Sequence, residues 1–249
     1  MPWQLPSVEH KVYARNPLIA VIVDLRFQPI LRIQRGVADF QDAVRPRFAG
    51  YQPSKAQTVQ MQPFGPIRVE DETIHRFLGD QYAISLTNQS LTLEMQAHDS
   101  KDGSFELFEF GLRALQKLFE PIMPVRLGLR YINHIDALQV SDELGRAVDW
   151  SELVSSAFIT PPSGLVHSDA RFTAQVNAPR DPGALTVQYG LVTDPQGKLG
   201  FRLDIDRYVE GAFQLVETER LLPDFAADIY SVFCAASAPT LLEWMGEKP

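Results

Sequence analysis

The sequence predicts an α+β protein. A unit of strand, helix, antiparallel strands and helix occurs twice and builds a largely antiparallel sheet covered by helices on one face. Three observations carry this. A period-two alternation of apolar and polar residues opens each half, at residues 20–27 and 126–136. Each half closes on an apolar stripe of helical spacing, at 104–119 and 222–233. Between them, short alternating runs are separated by Pro, Gly, Asn and Asp clusters, which suit hairpins. Residues 1–125 and 126–249 are therefore expected to be the first and second α+β repeats of one compact pseudo-twofold unit. Two separate ferredoxin-like or helix-grip units are the alternative.

In the first half, Val21, Val23, Leu25 and Phe27 share one strand face, and Asp24 and Arg26 the other. After Pro29, the spacing of Val37, Phe40, Val44 and Phe48 predicts a helix that frays at Pro46. Residues 57–62 and 66–77 read as extended, with a break at Pro63, Gly65 and Pro66. Tyr82, Ile84 and Leu86 alternate up to a turn at residues 87–90, and Leu91, Leu93 and Met95 return. Phe105, Phe108, Leu112, Leu115 and Phe119 then form the strongest helical stripe, ended by Pro121 and Pro124.

In the second half, Leu127, Leu129, Tyr131 and Ile135 mark the apolar face of a strand over 126–136. Asp149 and Glu152 have the spacing of a helix N-terminal capping box. Residues 170–177 and 184–193 alternate as strands, a turn is expected at 194–197, and Leu199, Phe201, Leu203 and Ile205 form the return strand. Leu222, Phe225, Ile229, Val232 and Phe233 make a helical stripe, and Pro239 opens a last short helix ending near Trp244.

Composition narrows the class. With 249 residues, 45% hydrophobic, 15 Phe and 7 Tyr, the chain carries enough apolar volume for a core without metal or disulfide staples. Cys234 is the single cysteine, so no intramolecular disulfide and no multi-cysteine metal site is expected. Residues 1–6 lack the basic segment and apolar run of a signal peptide. The longest uncharged, mostly apolar run, 229–242, falls short of the roughly 18 residues a membrane span needs. A cytoplasmic protein without membrane contact is the expectation.

The net charge is −8, with 13 basic against 14 acidic residues in 1–125 and 10 against 17 in 126–249. Nucleic-acid binding draws on a basic surface, and this balance disfavours it. A local basic patch at Arg32, Arg35, Arg45 and Arg47 is the exception weighed, against a solvated helix face.

Residues 16–19 (Asn-Pro-Leu-Ile), the run from Arg126 to Asp136, and residues 203–206 (Leu-Asp-Ile-Asp) carry a resemblance. On these blocks the chain resembles a sporadically distributed family of uncharacterised bacterial proteins of similar length, with Arg130, Tyr131, Ile132 and Asn133 the most specific part. The resemblance covers nearly the whole chain. It implies an accessory role, on mobile or defence-related islands, and assigns no catalytic residue.

The polar face of the strands is the candidate site. Asp24 and Arg26 share it on the first strand, Arg126, Arg130, His134 and Asp136 on the second, and Arg202, Asp204 and Asp206 on the late strand. Two readings stand: cross-strand ion pairs on an exposed sheet, or a charged face whose Arg130 and Arg202 forks bind a ligand or partner. Asp204 and Asp206 two apart would supply only two oxygens to a cation, and the adjacent arginines would neutralise them, so no metal is expected. None of His10, His75, His98, His134 and His167 has zinc-motif spacing. His167, Ser168 and Asp169 have triad residue types, too close in sequence to assemble a triad, and no Gly-x-Ser-x-Gly elbow occurs. Cys234 has no basic sequence neighbour to activate it. Gly-x-Gly-x-x-Gly and Walker loops are absent, so no cofactor is expected.

The expected function is that of a noncatalytic binding or regulatory protein acting through a protein partner. The alternative is a nuclease or RNA-processing protein on duplicated ferredoxin-like units, with His134 or His167 as general base. Net charge and the missing glycine-rich loop count against it.

Overall fold

The structure, a computed structural model, describes residues 8–60, 68–96, 101–159, 171–193 and 197–247. The chain begins with β1 (Leu18–Phe27), α1 (Ile33–Val44), β2 (Gly50–Gln60), β3 (Arg68–Leu78), β4 (Tyr82–Leu86), β5 (Ser90–Met95) and α2 (Lys101–Phe119). It continues through β6 (Pro124–Ile135), α3 (Ala137–Leu144), α4 (Trp150–Leu153), α5 (Ser156–Ile159), β7 (Phe172–Pro179), β8 (Ala184–Thr193) and β9 (Leu199–Glu210). A 3-10 turn (Leu215–Glu217), α6 (Thr218–Ala236) and α7 (Pro239–Met245) complete it. The protein is α+β, with one antiparallel nine-stranded sheet in the order β2-β3-β4-β5-β1-β6-β9-β8-β7.

The described residues divide into two units, those within 21–128 and 210–218, and those within 8–20, 129–209 and 219–247. In the 21–128 unit, alternation decides which face of β1 is buried. Val21, Val23, Leu25 and Phe27 are at most 2% exposed, and Asp24 and Arg26 point the other way. The α2 stripe is buried as its spacing predicts, with Phe108 and Leu115 fully enclosed. Gly111 lets α2 lie close on the strands, since a Cβ there would come 2.1 Å from the Ile84 side chain. Phe40 of α1 packs on Phe77 of β3 at 5.4 Å between ring centroids.

In this unit β2 starts at Gly50, well before the extended run predicted from residue 57. Its residues 51–55 are exposed, so its place rests on backbone pairing with β3, from Gly50 opposite Leu78 onward, and side-chain alternation gives no warning of it. The break expected at Pro63, Gly65 and Pro66 lies outside the described residues, as does His98.

In the unit around 129–209, Leu129, Val187, Leu203 and Ile205 supply the buried sheet face, and Leu222, Phe225 and Ile229 of α6 are buried as predicted. Sequence reasoning missed α3. The strand expected to run to residue 136 stops at Ile135, and Asp136 turns into the α3 N-cap, accepting from the backbone N–H of Leu138 (2.9 Å) and Gln139 (3.2 Å). Asp136 and Gln139 have capping-box spacing, and Gly145 closes the helix in the left-handed region, so the signal was present in the residues. The box at Asp149 and Glu152 forms as read, starting α4. The last helix opens with Pro239 in its first turn.

A buried charge hub holds this unit. Arg207 is 2% exposed, donates to Asp228 at 2.9 Å, and gives its second nitrogen to the carbonyls of Pro182, Ala184 and Tyr208. Arg180 closes a second, two-pronged contact on Asp228 at 2.8 and 3.1 Å. Every prong of the carboxylate is engaged, which offsets the cost of burying it. No helix among the described residues is long and apolar enough to cross a membrane.

Candidate functional site

The structure gathers six of the nine expected polar-face residues into two clusters, one in each unit, with Asp206 beside the second and His134 and Asp136 placed elsewhere. Both clusters have the same plan: a carboxylate clamped by two arginines, one two residues away on its own strand and one on β6.

In the 21–128 unit the carboxylate is Asp24. One oxygen accepts from Thr92 at 2.7 Å, and the other from Arg26 at 3.0 Å and Arg126 at 3.1 Å. Thr92 lies directly opposite Asp24 in the β1–β5 register. Arg126 also approaches Glu210 at 3.8 Å. With its carboxylate fully engaged, this cluster acts as a cross-strand tie.

In the unit around 129–209 the carboxylate is Asp204. Arg130 grips it with both prongs, at 2.7 and 2.6 Å, while Arg202 reaches it at 3.4 Å. Asp204 is 4% exposed. It was expected on an open face and is instead roofed by the two guanidinium groups, whose side chains are 41% and 45% exposed. Hydrogen bonding to Asp204, opposed by burial, raises the Arg130 pKa further above its ordinary value. Asp206 adds to that field and sits opposite Thr186 of β8.

His134 lies over Gly200 of β9, where a Cβ would come 2.2 Å from the ring. The ring thus fills the space a side chain at 200 would take. Asp136 leaves the strand face for the α3 cap and pairs with Lys198. Burial opposes its charged form, yet Lys198 and the two backbone N–H donors hold its carboxyl below the usual range. Asn133, in the block that carries the resemblance, donates to the Leu203 carbonyl at 3.2 Å and ties β6 to β9.

Beyond Asp204 the polar face continues over β8 and β7. Gln188 lies opposite Asp204 and donates to Gln175 at 2.6 Å, and Thr186 lies opposite Asp206 and donates to Asn177 at 3.0 Å. Gly190 lies opposite both Arg202 and Thr173. It has φ +154°, and a Cβ there would meet the Phe172 carbonyl oxygen at 1.9 Å, so only glycine fits. Gly190 lines a notch of about 310 Å³ together with Thr173, Gln175, Gln188, Val192 and Arg202. Sequence reasoning named Arg202 but none of the others; the available signal was a glycine interrupting the β8 alternation.

The remaining candidates are placed apart from this face. Arg32 donates to the Glu120 carbonyl and lies over the Phe119 ring, and Arg45 pairs with Asp42 at 2.8 Å, so two of the four patch arginines have local partners. Burial pushes the Cys234 thiol up, although a hydrogen bond from Tyr230 opposes the shift, and a raised thiol is a poor nucleophile. His167, Ser168 and Asp169 lie outside the described residues. Among the described residues no group of three His, Cys, Asp or Glu stands close enough to hold a metal ion.

Fold and site together define the class: an α+β protein on a nine-stranded antiparallel sheet, with arginine-clamped aspartates on its polar strand face. No protein-family model matches the chain, and no curated protein does.

Proposed function

We propose that this protein is a noncatalytic binding or regulatory protein that recognises a protein partner through the polar face of β6, β9, β8 and β7. The observation that carries the reading is the division of labour between the two arginines on Asp204. Arg130 spends its fork on the buried carboxylate, whereas Arg202 makes a single 3.4 Å contact among the described residues and keeps a planar set of donors at the surface. Around it stand amide and hydroxyl groups on three adjacent strands, a surface suited to directed hydrogen bonds. Following the resemblance, the role is accessory in a bacterial host.

The same reading takes residues 1–125 and 126–249 as duplicated α+β repeats whose helices cover one sheet face. The strand order supports the duplication: outward from β1 come β5, β4 and β3, and outward from β6 come β9, β8 and β7, with β2 an additional edge strand on the first side.

Affinity capture with the purified chain as bait tests the reading, using a folded Gln188→Ala, Arg202→Ala variant as comparison. One stoichiometric protein held by the wild type and lost by the variant is expected. No stoichiometric partner, or capture that ignores the variant, would overturn it.

A further inference from the structure

We infer that the Gly190 notch is a socket for an acidic side chain, Asp or Glu, of a partner polypeptide, with Arg202 as its anchoring cation. This rests on the partner reading above and names the chemistry recognised at that face. The notch is lined by Gly190, which carries no side chain because the β7 backbone fills its Cβ position. The gap lies in the row Thr173, Gly190, Arg202, one residue from each of three neighbouring strands. A group entering it meets a hydroxyl on one side and a guanidinium on the other. Gln188 and Gln175 form an amide wall along the strand direction, and Val192 closes the opposite end with an apolar surface that fits a methylene stem.

The charge balance selects a carboxylate over a phosphate. Arg130 is already matched by Asp204, which leaves Arg202 as the one incompletely used guanidinium among the lining residues, and a single fork matches a planar monoanion. Asp204 and Asp206 on the same strand face oppose an anion in proportion to its charge, and so a dianion more than a single carboxylate. The surroundings also favour a side chain over a chain terminus. Terminal carboxylates are captured by clusters of free backbone N–H groups, whereas β8 and β9, which carry Gln188, Gly190 and Arg202, each have a hydrogen-bonded strand on either side, so the donors they offer here are side chains. The notch is half open to solvent, so a passing chain can dip one side chain into it.

The test uses the full chain in an amide-resolved NMR titration with the capped tripeptide acetyl-Ala-Glu-Ala-amide. The matched Gln tripeptide and inorganic phosphate serve as comparison probes. Saturable shifts at Gly190, Thr173 and Gln188 are expected with the Glu peptide, at millimolar affinity and at least tenfold tighter than with the Gln peptide. Arg202→Ala should abolish them, and Arg202→Lys should weaken them several-fold while leaving the fold unchanged. Equal response to both peptides, undiminished response in folded Arg202→Ala protein, tighter binding of phosphate than of the Glu peptide, or no saturable shift would each overturn the socket. The titration involves no partner. Its failure alongside intact partner capture would remove the socket and leave the partner reading, whereas its success without a captured partner would remove that reading alone.

Discussion

Arg130 closes both prongs of its guanidinium on Asp204, at 2.7 and 2.6 Å, and so lets a carboxylate only 4% exposed lie within the polar face of the sheet. The two partners differ in exposure, and that asymmetry makes their substitutions unequal.

Among the described residues, Arg130→Ala leaves the buried carboxylate with the 3.4 Å contact from Arg202, and it is expected to cost about 2 kcal/mol. Asp204→Ala leaves two half-exposed arginines that water can solvate, and should cost about 1 kcal/mol. Urea unfolding of both single variants checks the order, and a larger loss for Asp204→Ala would contradict it.

Arg207→Ala is expected to be among the most damaging substitutions, at about 3–5 kcal/mol, because it breaks a buried ion pair and strips three carbonyls of their donor. Arg180→Ala removes a partner that is one-third exposed and should cost less. Thermal unfolding of the two variants separates them.

Stability should rise with pH through the acid range. Asp136 and Asp228 both hold their carboxyls below the ordinary value against the effect of burial, Asp136 through Lys198 and the α3 N–H groups, Asp228 through Arg180 and Arg207. The unfolded chain therefore binds protons at a higher pH than the folded one. The stabilisation is complete above the ordinary carboxylate pKa of about 3.9 and is lost as pH falls through the depressed folded values. Asp136→Asn should flatten the dependence of unfolding free energy on pH below about pH 5; an unchanged slope would show that Asp136 does not contribute.

Phe108→Ala should cost about 3–5 kcal/mol, since the ring is fully buried in the α2 stripe. Gly111→Ala, one turn on, forces a methyl into the Ile84 side chain and should also destabilise the fold despite alanine's better helix propensity. Denaturant midpoints of the two variants provide the check.

What the sequence determined by itself is the set of elements whose side chains alternate or recur on a face that must leave water. β1, the β4–β5 hairpin, α2, β8, β9 and α6 follow from apolar period alone, because each buries a stripe that its spacing already defines. It also paired Asp24 with Arg26 and Arg202 with Asp204 on one strand face, but placed Asp136 there as well, where the structure turns it into the α3 cap. What only the tertiary structure decided are the relations that depend on backbone pairing between distant segments. The start of β2 rests on its ladder with β3, and the turn of Asp136 out of β6 rests on the orphan N–H groups of α3. Arg130 finds Asp204 across 74 residues of chain, and Arg207 finds Asp228 across 21. The notch at Gly190 belongs with these. It is lined by Gly190, whose Cβ position the β7 backbone fills, an approach that no single strand's pattern contains.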